Sequence, residues 1–114
     1  MKPSPKQTRM NRNEESYSHH LESLKMSENI LDWKYEPFGL RLAEQKCYYH
    51  PDFFVSYPTH FEVHEVKPYQ KKKDTFYAKD DAMVKVKVAS GLFYFWRFFI
   101  VYFDGVEWVK KPLK

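Results

Sequence analysis

Twelve residues, 53 to 64, separate Asp52 from Glu65, and that interval constrains the fold of this chain more than any other feature. It holds an apolar run, then Pro58-Thr59-His60, then a second run, and so reads as one strand, a short turn and the next strand. Such a unit brings Asp52 and Glu65 side by side at adjacent strand ends, with Lys67 beside them. Along residues 61–66 the alternation places Phe61, Val63 and Glu65 on one face, continued by Lys67, against Glu62, His64 and Val66. An acid on the inward face of a strand needs a partner or a use.

The other elements build around this pair. Asn13 is the expected N-cap of a helix that runs to about residue 27, with Glu14, Glu15 and Ser16 in its first turn. Tyr17, Leu21 and Leu24 form its apolar stripe, and Glu14, three residues before Tyr17, lies on that stripe. Residues 32–43 have strand character interrupted at Pro37 and Gly39, and 44–46 form a polar turn. Residues 48–57 are expected as the next strand, with Asp52 near its middle, and 61–66 as the third. Residues 79–94 fit two periods. Val84, Val86 and Val88 alternate, while Ala82, Val86, Ala89 and Phe93 recur at helical spacing behind Asp80 and Asp81; the helix is preferred. Residues 96–103 read as a buried central strand, Asp104-Gly105 as a hairpin turn, and 106–109 as the returning strand. The order α-β-β-β-α-β-β gives one α/β domain with a mixed central sheet over 13–110. A flexible basic arm (1–12) precedes it and a basic tail (111–114) follows.

Composition narrows the chemistry. With 114 residues, 43% hydrophobic and 19% aromatic, the chain can bury one core. A net charge of +4 permits a nucleic-acid partner without requiring one. The single cysteine, Cys47, rules out an internal disulfide and a Cys/His zinc site. Three glycines leave no phosphate-cradling loop, so no nucleotide cofactor is expected. His60 and His64 stand four apart on a strand, about 13 Å, too far for one metal. The N-terminus lacks an apolar run, and the apolar stretch 92–103 is broken by Arg97 and falls short of the roughly 20 residues of a spanning helix. A soluble cytoplasmic protein with no membrane contact is expected. Lys71, Lys72 and Lys73 in the loop after Lys67 are candidate DNA contacts, as are Arg12 in the arm and Lys85 on the second helix.

Two carboxylates and an ammonium at one point are the groups that metal-dependent cleavage of a phosphodiester uses. An acid in helix one, Pro-Asp on strand two and Glu-x-Lys on strand three, in this element order, resemble the PD-(D/E)XK nuclease superfamily. Within it the chain is similar to small phage-encoded endonucleases, including the phage endonuclease I type of Holliday-junction resolvase. The motifs are Asn11-Arg12-Asn13-Glu14-Glu15-Ser16-Tyr17, Tyr49-His50-Pro51-Asp52-Phe53, His64-Glu65-Val66-Lys67, and Asp80-Asp81-Ala82-Met83-Val84-Lys85-Val86-Lys87. The resemblance spans about residues 11–102, and Pro68 departs from it, standing where such proteins often have glycine.

The resemblance implies a restriction-endonuclease-like αβββαβ core and a catalytic set of Glu14, Asp52, Glu65 and Lys67. Asp52, Glu65, the Val66 carbonyl and Glu14 would hold Mg²⁺, or Mn²⁺ as a substitute, at one or two positions. Lys67 would donate to the scissile phosphate or position the attacking water. The implied function is that of a phage-derived, metal-dependent DNA endonuclease acting on branched or Holliday-junction DNA in the cytoplasm of a bacterial host. The two-fold symmetry of a junction implies a homodimer, for which exposed aromatics at 93–99 or on the early strands offer a surface. The alternatives are a non-specific DNA nuclease, or a non-catalytic nucleic-acid- or protein-binding module that keeps the fold.

Overall fold

Five segments rich in β-branched and aromatic residues hydrogen-bond into one mixed sheet, and two helices cover its two faces. The computed structural model describes residues 9–44 and 47–113. In chain order the elements are α1 (Arg12–Met26), β1 (Asp32–Tyr35), β2 (Leu40–Ala43), β3 (Cys47–Tyr49), β4 (Phe53–Ser56) and β5 (Phe61–Val66). They continue as β6 (Tyr69–Gln70), β7 (Thr75–Phe76), α2 (Asp80–Leu92), β8 (Arg97–Phe103) and β9 (Trp108–Pro112). The main sheet has the order β1-β4-β5-β8-β9, parallel only between β5 and β8. That parallel pair needs a crossover, and the connection contains α2. Two small hairpins, β2-β3 and β6-β7, stand apart from the main sheet.

Strand alternation divides the core. Phe53, Val55, Val66 and Val101 face α1 and pack on Tyr17 and Leu21. Val63 and Phe98 face α2 and pack on Val86 and Ala89, with Leu40 and Tyr49. Helical period decides residues 80–92: Val86 and Ala89 are buried while Val84 is 58% and Val88 41% exposed.

Several boundaries differ from the sequence reading, each for a local reason. The N-cap of α1 is Asn11, not Asn13, and Arg12 is already helical rather than part of an arm. Asn11 accepts from the Glu14 N–H at 2.8 Å while Glu14 accepts from the Asn11 N–H at 3.0 Å, a capping box that Asn13 with Ser16 three residues on would lack. The strand expected over 48–57 is two strands. Pro51 cannot donate to a ladder, so pairing stops there; β3 turns away to β2, and Asp52 lies just before β4 rather than mid-strand. Residues 32–43 likewise divide into β1 and β2 around Pro37 and Gly39, where a Cβ on Gly39 would come within 2.6 Å of His50 Cε1. The lysine loop is the tip of the β6-β7 hairpin. The hairpin after β8 is wider than a two-residue turn: Asp104 Oδ1 accepts from the Val106 and Glu107 N–H groups and Gly105 takes φ 103°. β9 therefore starts at Trp108, not at 106, and runs on to Pro112, taking in Lys111 and Pro112 of the expected tail. Residues 1–8 of the expected arm, together with Gln45, Lys46 and Lys114, lie outside the described residues.

Candidate active site

Asp52, Glu65 and Lys67 meet at the C-terminal end of β5, and the backbone register explains how. The β4-β5 pairing runs Phe53 with His64 through Ser56 with Phe61, and Tyr57 donates its N–H to the His60 carbonyl. Hydrogen-bonded pairs in an antiparallel ladder recur every second residue, so the next after Phe53 and His64 would be Pro51 with Val66. Proline has no N–H to give, which leaves the Val66 carbonyl without that ladder bond. The Val66 N–H turns instead to the side chain of the next residue and donates to Asp52 Oδ2 at 2.9 Å. Pro-Asp at this position thus anchors a carboxylate on the β5 backbone and frees a carbonyl beside it.

Glu65 reaches the same place from β5. The Tyr49 hydroxyl donates to its Oε1 at 2.5 Å, and Lys67 Nζ lies 3.4 Å from its Oε2. Asp52 Oδ1 has no hydrogen-bond partner among the described residues. No fully buried side-chain oxygen is left unpaired there, so Oδ1 meets solvent. Burial pushes the Asp52 carboxyl well above the usual carboxylate range; Glu65 and Glu14 add to the rise, and the Val66 N–H and Lys67 oppose it. Burial also raises the Glu65 carboxyl, against Lys67 and the Tyr49 hydroxyl. Burial first, then the Glu65 charge, raises Tyr49 and keeps it a protonated donor. Two buried, mutually repelling acids share one ammonium, an arrangement that favours a further cation.

The remaining sequence candidates lie around this centre. Glu14 faces it from the first turn of α1, but its Oε1 is engaged by the Asn11 N–H and by the Tyr35 hydroxyl at 3.1 Å. Among the described residues no three His, Cys, Asp or Glu side chains gather as a metal-holding group, and Glu14 acts on Asp52 through its charge. Lys71, Lys72 and Lys73 are exposed at the hairpin tip, beyond Pro68, whose carbonyl accepts from the Tyr77 N–H at 2.9 Å and closes the hairpin base. Arg12 and Lys85 are exposed on α1 and α2.

Sequence reasoning passed over two sets of residues. Tyr49 is one; it precedes the Pro-Asp pair, but its role required β3 to fold back toward β5. The other is a buried network on the α1 face. Glu62 accepts from Lys110 Nζ at 2.8 Å, its two oxygens lie 2.8 Å from His64 Nε2 and 2.7 Å from His60 Nε2, and His64 Nδ1 meets the Tyr17 hydroxyl at 2.6 Å. The two histidines judged too far apart for one metal are thus joined through one carboxylate. Burial works to raise Glu62, but the hydrogen bonds from His64, Lys110 and His60 together outweigh it and hold the carboxyl at about 2. Ionised Glu62 ties α1, β5 and β9 together.

Compared with family models, curated proteins and solved structures, the chain matches none.

Proposed function

We propose that this chain is a metal-dependent DNA endonuclease of the PD-(D/E)XK kind, with a restriction-endonuclease-like core and a preference for branched DNA. The observation that carries the reading is the meeting of buried Asp52 and Glu65 with Lys67 at one strand end. Such a centre is costly to fold around, and a purely structural role would be served by a neutral pair.

The donors fit a hard divalent cation: among the described residues Asp52 Oδ1 has no hydrogen-bond partner, Glu65 Oε2 lies 3.4 Å from Lys67 Nζ, and the Val66 carbonyl lacks its ladder bond. Mg²⁺ or Mn²⁺ held there would neutralise the two acids and polarise a phosphate oxygen. The chain's own groups do the rest. Asp52 is held in place by the Val66 N–H and Glu65 by the Tyr49 hydroxyl, so neither carboxylate has to reorganise when substrate arrives. Lys67, whose side chain is 15% exposed, can turn its ammonium from Glu65 to a non-bridging phosphate oxygen and stabilise the charge that builds up there. Glu14, held by the capping box, adds negative charge that strengthens cation binding at Asp52. A homodimer presenting two such centres would cut paired strands of a junction.

The test is cleavage of a labelled four-way junction and of the matching linear duplex with Mg²⁺, Mn²⁺ or EDTA. Metal-dependent nicking of the junction in preference to duplex is expected. Asp52→Ala should abolish it together with Mn²⁺ binding, while Lys67→Ala should keep Mn²⁺ binding and lose at least about a hundredfold in rate. Normal cleavage by Asp52→Ala would overturn the assignment.

A further inference from the structure

A concave surface lies at the other end of the sheet from the acidic centre. β5 and β8 pair Val66 with Val101 near the acids and Glu62 with Arg97 at the far end. Four residues at roughly 3.3 Å each put those ends about 13 Å apart. Near Arg97 the last turns of α2, the start of β8 and the end of β9 enclose a groove of about 390 Å³, within the usual range for small-ligand sites. Lys87, Ser90 and Gly91 line it from α2, and Tyr94, Trp96 and Arg97 from the segment that follows.

Three properties of this groove point the same way. No acid is among its lining residues, and neither Lys87 nor Arg97 makes an ion pair among the described residues. Tyr94 is 80% exposed, an aromatic face left open beside two unpaired cations, and Phe95 next to it is 63% exposed. Trp96 is fixed against the interior, stacked on Phe93 and edge-on to Phe54, and gives the groove a rigid wall. An exposed aromatic ring that shares one groove with two cations making no ion pair among the described residues is complementary to a ligand that has a π-face and negative charge close to it. A polynucleotide strand with unpaired bases has that chemistry, whereas a duplex keeps its base faces stacked away from Tyr94.

We propose that this groove binds single-stranded nucleic acid, with one base stacked on Tyr94 and its flanking phosphates at Lys87 and Arg97. The site is separate from the acidic centre and does not depend on that centre being catalytic, so it is tested without metal. The intact chain is titrated in EDTA with a short fluorescent oligo(dT), followed by anisotropy, beside a duplex of equal length. Tyr94→Ala, which alters only an exposed side chain, should weaken oligo(dT) binding on the order of tenfold. Gly91→Leu, which adds bulk at a lining position where a Cβ meets nothing within 4 Å, should do the same. Replacing Lys87 and Arg97 with glutamine should lower the slope of log affinity against log salt by about 1.4, two phosphate contacts on a single strand. Unchanged oligo(dT) affinity in Tyr94→Ala and Gly91→Leu would overturn the proposal. So would an equal loss of duplex binding in Tyr94→Ala, which would mark the groove as a general phosphate surface.

Discussion

Asp52 is the residue on which the site turns, and its protonation ties stability to the proposed chemistry. Its folded carboxyl lies above the ordinary value of 3.8, because burial and then Glu65 disfavour the charge. In the interval between the unfolded and folded values the native state holds a proton that the unfolded chain has released. Stability therefore falls as pH rises through that interval. Asp52→Asn keeps an oxygen for the Val66 N–H and removes the titration. In EDTA its melting temperature should match wild type near pH 3 and exceed it increasingly toward pH 7, as thermal melts across pH would read. Added Mn²⁺ should raise the wild-type melting temperature and leave the variant unmoved. At this scale the sequence was legible where partners are near in the chain: Pro51-Asp52 and Glu65-Val66-Lys67 belong to one strand-turn-strand unit. It was not legible for Glu62, whose partner Lys110 lies 48 residues away.

Elements were legible where a side-chain rule is local. The α2 period, the β5 alternation and the β8 run all follow from spacing, and each element forms where it was expected, within one or two residues at its ends. The start of α1 was misplaced at Asn13, although Asn11 and Glu14 stand at capping-box spacing and Asn13 lacks an acid or amide three residues on. That box also holds Glu14 in place toward Asp52. Asn11→Ala should cost about 1 kcal/mol in denaturant unfolding, the usual worth of an N-cap. The division of residues 48–57 was half readable. Pro51 forbids a central ladder bond, but only the return of β3 onto β2, with Leu40 opposite Tyr49, shows where the chain goes instead.

For the whole molecule, charge distribution makes the remaining prediction. The β6-β7 hairpin carries Lys71, Lys72 and Lys73 at its exposed tip, on the chain segment that leaves the acidic centre after Lys67. Changing all three to alanine should lower the slope of log affinity against log salt for duplex DNA by up to about 2.7, near 0.9 for each phosphate no longer neutralised, as binding measured over a salt series would show. Mn²⁺ binding should be unaffected, because none of the three touches the acids. The sequence by itself determined the two helices, β5, β8 and the hairpin that joins Asp52 to Glu65, because side-chain direction within an element depends on spacing of a few residues. Only the tertiary structure decided that β8 pairs with β5 in parallel, that Tyr49 returns to Glu65, that Lys110 crosses to Glu62, and that Tyr94 and Arg97 border one groove. Those contacts join segments far apart in the chain, and packing of two helix faces on one sheet selects them rather than any local pattern.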